Sequence, residues 1–175
     1  MAITIDATAG GANANSFVTV AEAEAYLEAH VDSLEWDTAT DPEAALVEAA
    51  RDLSAARWKG QRTASGQALA WPRAECPNPD AAWGTAIPQF NSDEIPQRIK
   101  DAQCELALYY ARESASPFGL EGDATVKRKR VDVIETEYFE GMRPRSGWQR
   151  VPRVWRLIAP LLMGSGGVNV AMVRG

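Results

Sequence analysis

The segment EIPQRIKDAQCELALYYARE, residues 94–113, constrains this chain more than any other stretch. Ile95, Ile99, Ala102, Leu106 and Tyr109 recur at helical spacing, and Cys104, Leu108 and Ala111 form a second apolar stripe. A helix with one apolar stripe lies on a core, whereas one with two must be covered on most of its sides. The spacing therefore predicts a central helix, with Ser92 or Asp93 as its cap, around which other helices are arranged.

Those other helices are legible. Thr19 followed by Glu22 is a capping-box pattern, and Val20, Ala23 and Leu27 share one face, which predicts a helix from Val20 to about Ala29. Asp41-Pro42 places an N-cap before a proline at the first helical position; Ala45, Leu46, Ala49, Leu53 and Ala56 keep the period, and Lys59-Gly60 supplies the expected stop. Val151-Pro152 opens a last helix with Val154, Leu157, Ile158 and Leu161 on one side. Between the third helix and the last, after the turn residues Ser116 to Gly119, VKRKRVDVIETEYFEG is rich in β-branched and aromatic residues and predicts one strand or a short hairpin. The fold class expected is mainly α: a small helical bundle with a short β strand or hairpin after the third long helix, and an extended C-terminal arm.

Two segments do not fit a bundle. Residues 60–92 carry prolines, glycines and tryptophans with no sustained period, and a loop this long in a small protein usually has a function of its own. Trp71, Arg73 and Trp83 are its candidate contacts to another subunit or protein, because aromatic and arginine side chains dominate interface energetics; the competing reading is that the rings cover the helical core. The second is the end of the chain, where Gly164-Ser165-Gly166-Gly167 precedes Val168, Asn169, Val170, Ala171, Met172, Val173 and Arg174, which alternate like a strand. A glycine hinge followed by an alternating segment suits docking onto a neighbouring surface, where backbone hydrogen bonds supply affinity. The expected organisation is one domain over 1–162, with its long loop at 60–92, and a flexible arm over 163–175.

Charge is distributed unevenly. Residues 1–125 hold 20 acidic and 8 basic side chains, residues 126–175 hold 4 acidic and 10 basic, and the first 50 residues contain no Lys or Arg at all. Such a split points to electrostatic pairing with nucleic acid, a membrane or another protein surface, or to faces of opposite sign that meet inside the fold or between subunits. Two basic clusters stand out: Lys127, Arg128, Lys129 and Arg130, as possible DNA or charge-pairing contacts, and Arg143, Arg145, Arg150, Arg153 and Arg156 interleaved with Trp148 and Trp155. Cations neutralise phosphate and aromatic rings stack on unpaired bases. In a strand, however, Lys127 and Lys129 would face one way and Arg128 and Arg130 the other.

The residues for catalysis are sparse. His30 is the only histidine and falls at a predicted helix end, where the last carbonyls are its ordinary partners. Cys76 and Cys104 lie 28 positions apart with no CxxC or histidine companion, which predicts two buried thiols rather than a zinc site or a disulfide framework. The glycine pairs lack the lysine and the strand-to-helix setting of phosphate-binding loops. No run reaches the ~18 apolar residues of a membrane span, and the start MAITIDATAG has no signal-peptide pattern, so synthesis in the cytosol is expected. No enzyme, cofactor or metal is expected.

Taken in order, ANSFVTVAEAEAYLEAH, RDLSAARWKGQRT with ALAWPR, IPQRIKDAQCELALYYAR, and VKRKRVDVIETEYF with the proline-bearing LIAPLL resemble the tailed-bacteriophage head-to-tail connector adaptor family. Its relatives are sometimes labelled DnaT-like single-stranded DNA-binding proteins. The resemblance implies small helical subunits in a twelve-fold ring beneath the portal protein, extending the DNA channel and docking the next neck or tail protein. Under it, Val168 to Arg174 become a portal-binding arm, Trp71, Arg73 and Trp83 subunit or neck contacts, and packaged double-stranded DNA a transient partner. The location would be the virion neck, reached from the host cytoplasm, with no membrane involved. The alternative is a single-stranded DNA-binding protein of phage replication that uses the basic, tryptophan-bearing C-terminal third.

Overall fold

The computed structural model describes residues 3–81, 88–113, 117–118, 128–131, 134–137 and 147–164. Its elements in chain order are α1 (Val20–Glu28), α2 (Ser33–Asp37), α3 (Pro42–Ala55), β1 (Gln61–Arg62), β2 (Arg73–Ala74), α4 (Gln97–Glu113), β3 (Arg128–Val131), β4 (Ile134–Glu137) and α5 (Pro152–Ile158). The structure is mainly helical, with a two-stranded antiparallel hairpin, β3-β4, after the third long helix. The arm from Val168 to Arg174 lies outside the described residues.

α4 is the centre, as its two stripes require. It packs against α3 on one side and α5 on another, and it also touches α1 and α2. Ile99, Ala102, Cys104, Leu106, Ala107 and Leu108 are all buried. Pro96 sets where the helix begins: its carbonyl accepts from Ile99 and Lys100, and Ile95, as the residue before a proline, is disfavoured from helical geometry. The start is therefore three to four residues later than a Ser92 or Asp93 cap would place it.

One buried residue on α4 is polar. The Oε1 of Gln103 accepts from the Phe17 N–H at 2.8 Å, while its Nε2 donates to Ser16 Oγ at 2.7 Å and to the Leu46 carbonyl at 2.9 Å. Ser16 Oγ in turn donates to the Val18 carbonyl. This one side chain ties the segment leading into α1, the first half of α3, and α4 together, with every polar atom of the amide in use.

The capping box at Thr19 and Glu22 is present in full. Glu22 also receives Lys100 Nζ at 2.6 Å, which joins α1 to α4. The Lys100 ammonium first, and the Thr19 N–H second, hold the Glu22 carboxyl below its ordinary value of 4.5. Glu22→Ala is expected to lower stability by about 1 kcal/mol, the scale of a lost cap plus a screened, half-exposed ion pair. Because the native carboxyl is lowered, this contribution is full above the ordinary glutamate range and disappears as pH falls through the native value. Urea titrations of both proteins at neutral and acid pH check it: the difference should close in acid.

The expected end of α3 at Lys59-Gly60 is corrected to Ala55, with Ala56 already extended. Tertiary pairing takes over there: Lys59 N–H donates to the Leu161 carbonyl at 2.9 Å and Met163 N–H to the Arg57 carbonyl at 2.8 Å, around a bridge between Trp58 and Leu162. Gly60 serves the next turn instead. Its φ is +71° and a Cβ there would lie 2.3 Å from the Ala74 carbonyl oxygen, so no other residue fits unless the backbone moves.

The 60–92 stretch is only in part the exposed loop expected. Leu69, Ala70, Trp71 and Cys76 are buried in the main core. The buried Gln67 amide donates to the Leu69 and Pro72 carbonyls and accepts from Ala64 N–H, which satisfies the backbone that such a packed loop must bury. Arg98 of α4 fixes the far side, gripping Asp80 with two nitrogens and donating to the Leu157 carbonyl at 3.2 Å. Both cysteines are free and buried, and burial first of all pushes the Cys104 thiol up to about 12, which makes it an inert core group.

Candidate nucleic-acid interface

The last turn of the chain's core assembles a basic, aromatic surface. Pro152 opens α5, and Val151, Val154 and Ile158 are buried, which leaves Arg153, Trp155 and Arg156 outside. Trp155 is 39 % exposed, unusual for so large an apolar ring. The preceding 3-10 turn, Gly147–Arg150, is anchored by Gly147 N–H donating to the Pro117 carbonyl and by Trp148 standing edge-on to Phe118 at 4.6 Å.

Across from this surface the last turns of α4 present Tyr109 and Arg112, and the α1–α2 turn brings His30 and Asp32. Together these groups line a cleft of about 220 Å³, floored by Leu108, Val151 and Val154. Its polar groups form a linked series. Arg112 pairs with Asp32 at 3.4 Å, Asp32 N–H donates to His30 Nδ1 at 3.1 Å, and His30 Nε2 lies 3.5 Å from Glu105. Arg153 reaches both Glu105, at 3.6 Å, and His30 Nε2. Tyr26 OH donates to Glu105 from behind at 3.1 Å; burial first, and the neighbouring Glu105 carboxylate second, push its phenol upward, so Tyr26 stays a neutral donor.

Exposure orders these groups by depth. The side chains of His30 and Glu105 are 9 % and 11 % exposed, whereas those of Arg112 and Arg153 are 46 % and 47 % exposed. Cations ring the mouth and a carboxylate sits at the back. Such a site can hold a planar group against its apolar floor and an anion at its rim. Among the described residues, no three of His, Cys, Asp and Glu are grouped to hold a metal ion, and no helix is long and apolar enough to cross a membrane.

The residues singled out from sequence are dispersed. Trp71 is 1 % exposed, with Trp58 and Phe90 edge-on to it, and of its two readings, a subunit contact or a ring covering the helical core, it takes the second within this chain. Arg73 binds the carbonyls of Lys59, Gly60 and Ala70 within its own chain. Trp83, Lys127, Arg143 and Arg145 lie outside the described residues. The register of the hairpin sets Arg128, Lys129 and Arg130 opposite Glu137, Thr136 and Glu135, which matches two of the three cations with acidic positions on the neighbouring strand. Of the basic clusters, then, the one around α5 meets the cleft. His30 does not turn to the carbonyls of its own helix but to Asp32 and Glu105. Neither Glu105 nor Tyr26 carried any signal in sequence, because their partners lie on other elements far along the chain.

The family model described as "Putative DnaT-like ssDNA binding protein" matches residues 1–175. The chain belongs to this DnaT-like family. No curated protein and no solved structure matches it. Among the described residues of the DnaT-like chain, exposed arginine and an exposed aromatic ring come together on the α5 surface, beside the mouth of the cleft.

Proposed function

We propose that this DnaT-like chain binds single-stranded DNA through the α5 surface, with Trp155 as a stacking platform and Arg153, Arg156 and Arg112 as phosphate contacts. The observation that carries the reading is the coexistence of a partly exposed tryptophan with exposed arginines on α5, on a chain whose net charge is -6 and whose first 50 residues contain no Lys or Arg. The acidic remainder opposes DNA, so affinity is modest and sensitive to salt. Fluorescence anisotropy with a labelled oligonucleotide across a salt series tests it. Trp155→Ala is expected to weaken binding by about tenfold, the scale of one lost base stack, and Arg156→Ala to flatten the salt dependence by about 0.7 in log–log slope. Binding unchanged in both variants would overturn the assignment.

A finer reading places the chain in the neck of a tailed phage as a head-to-tail connector adaptor, in a twelve-fold ring between the portal and the next neck or tail protein. It is supported by the order of the motifs along the chain and by the unpaired acidic face: Glu24, Glu28 and Asp37 border a groove beside Trp36 and have no ion-pair partner among the described residues. A face of one sign and a second of the other suit repeated stacking of identical subunits. Under this reading DNA is met in transit, and affinity for oligonucleotides should be no better than the roughly 10⁻⁴ to 10⁻⁶ M of non-specific contacts. Native mass measurement with and without portal protein separates the two: a ring that joins the portal favours the adaptor, and a monomer that binds oligonucleotides tightly opposes it.

A further inference from the structure

The cleft beside α5 is more than an extension of a basic surface, because its charges are layered. An anion entering it base-last would drive phosphate toward Glu105, whereas one entering base-first leaves phosphate at the guanidiniums of Arg112 and Arg153. Each of those arginines spends one nitrogen on its carboxylate partner in the contacts above and has further N–H donors to offer. Arg150 adds a third guanidinium to the lining, against the two carboxylates of Asp32 and Glu105. The floor of Leu108, Val151 and Val154 is apolar, and Tyr109, half-buried at the side, offers a ring face. At about 220 Å³ the cleft is smaller than the ~300–1,000 Å³ pockets that take drug-sized ligands, and suits one flat ring system.

We propose that the cleft is a subsite for a single unstacked nucleobase of a DNA strand, read at its inner end by the Glu105 carboxylate. A carboxylate accepts hydrogen bonds and donates none, so it favours bases that present an exocyclic amino group, as cytosine does at N4, over thymine, which presents a carbonyl there. The subsite rests on the single-stranded DNA reading and makes that reading selective: α5 supplies affinity for any strand, and the cleft supplies a preference for amino-bearing bases.

The experiment compares the full-length protein with labelled dC₁₀ and dT₁₀ at mildly alkaline pH, where cytosine is unprotonated and neither pyrimidine strand pairs with itself. The expected result is about fivefold or more tighter binding of dC₁₀, the low end of what contacts to one base contribute. Glu105→Gln, which keeps shape and gains a donor, should abolish the preference while leaving dT₁₀ binding in place. Tyr109→Ala gives a second variant should Glu105→Gln fail to fold, and it should weaken dC₁₀ more than dT₁₀. Equal binding of the two strands by the unaltered protein, with Trp155→Ala still weakening both, would overturn the subsite and leave the α5 reading standing. Failure to bind either strand would overturn both.

Discussion

Replacing Trp71 by alanine is expected to cost about 3 to 5 kcal/mol of stability, the range for emptying a core site of a large aromatic ring. The ring is 1 % exposed, and it makes edge-on contacts with Trp58 at 5.5 Å and Phe90 at 6.1 Å. It also locks the 60–92 stretch onto α3 and the segment after it. Against a total of about 5 to 15 kcal/mol for a typical domain, this is a large share. Trp71→Phe should cost far less. It retains an aromatic ring in the site and deletes an indole N–H that is buried without a hydrogen-bond partner among the described residues, a group that costs stability where it stands. Urea unfolding of the three proteins decides the matter. A loss below 1 kcal/mol for the alanine variant would mean that the ring does not hold the core.

Gln103→Leu is expected to cost about 3 to 5 kcal/mol despite the similar size and greater hydrophobicity of the new side chain. It would strand the Phe17 N–H in a dry interior, at about 1 to 3 kcal/mol, and remove one further hydrogen bond each from Ser16 Oγ and from the Leu46 carbonyl, which keeps its partner within α3, at about 1 kcal/mol apiece. The three penalties overlap, because local relaxation can serve more than one of them. Ser16→Ala in the Gln103→Leu background should therefore cost less than in the unaltered protein, by about 0.5 kcal/mol or more, since the two residues share one network. Strict additivity in that double-mutant cycle would contradict a connected network, and an unchanged denaturation midpoint for Gln103→Leu would contradict its role altogether.

Both residues show where sequence reasoning reaches its limit. Trp71 was ambiguous between a contact surface and a core ring because nothing near it in sequence has a period: burial there depends on Gln67 and Arg73 satisfying the loop's backbone, which no local pattern reports. Gln103 sits between Ala102 and Cys104 on the central helix, where a polar residue ordinarily marks the solvent side. Its partners at positions 16, 17 and 46 are set by how three segments meet.

What the sequence by itself determined was whatever local chemistry controls. Thr19 and Glu22 cap α1 through a contact three residues long, Pro42 starts α3, the two stripes of α4 demand neighbours on several sides, and the β-branched run after α4 forms the hairpin. The five-residue α2 has too few residues to show a period and went unseen. Only the tertiary structure decided where α3 stops, because the carbonyl that receives Lys59 N–H belongs to Leu161, some hundred residues on. It alone decided the cleft as well. His30 comes from the α1–α2 turn, Glu105 from α4 and Arg153 from α5, and a site made of side chains so far apart in the chain exists only when packing around α4 has brought them within hydrogen-bond and ion-pair reach.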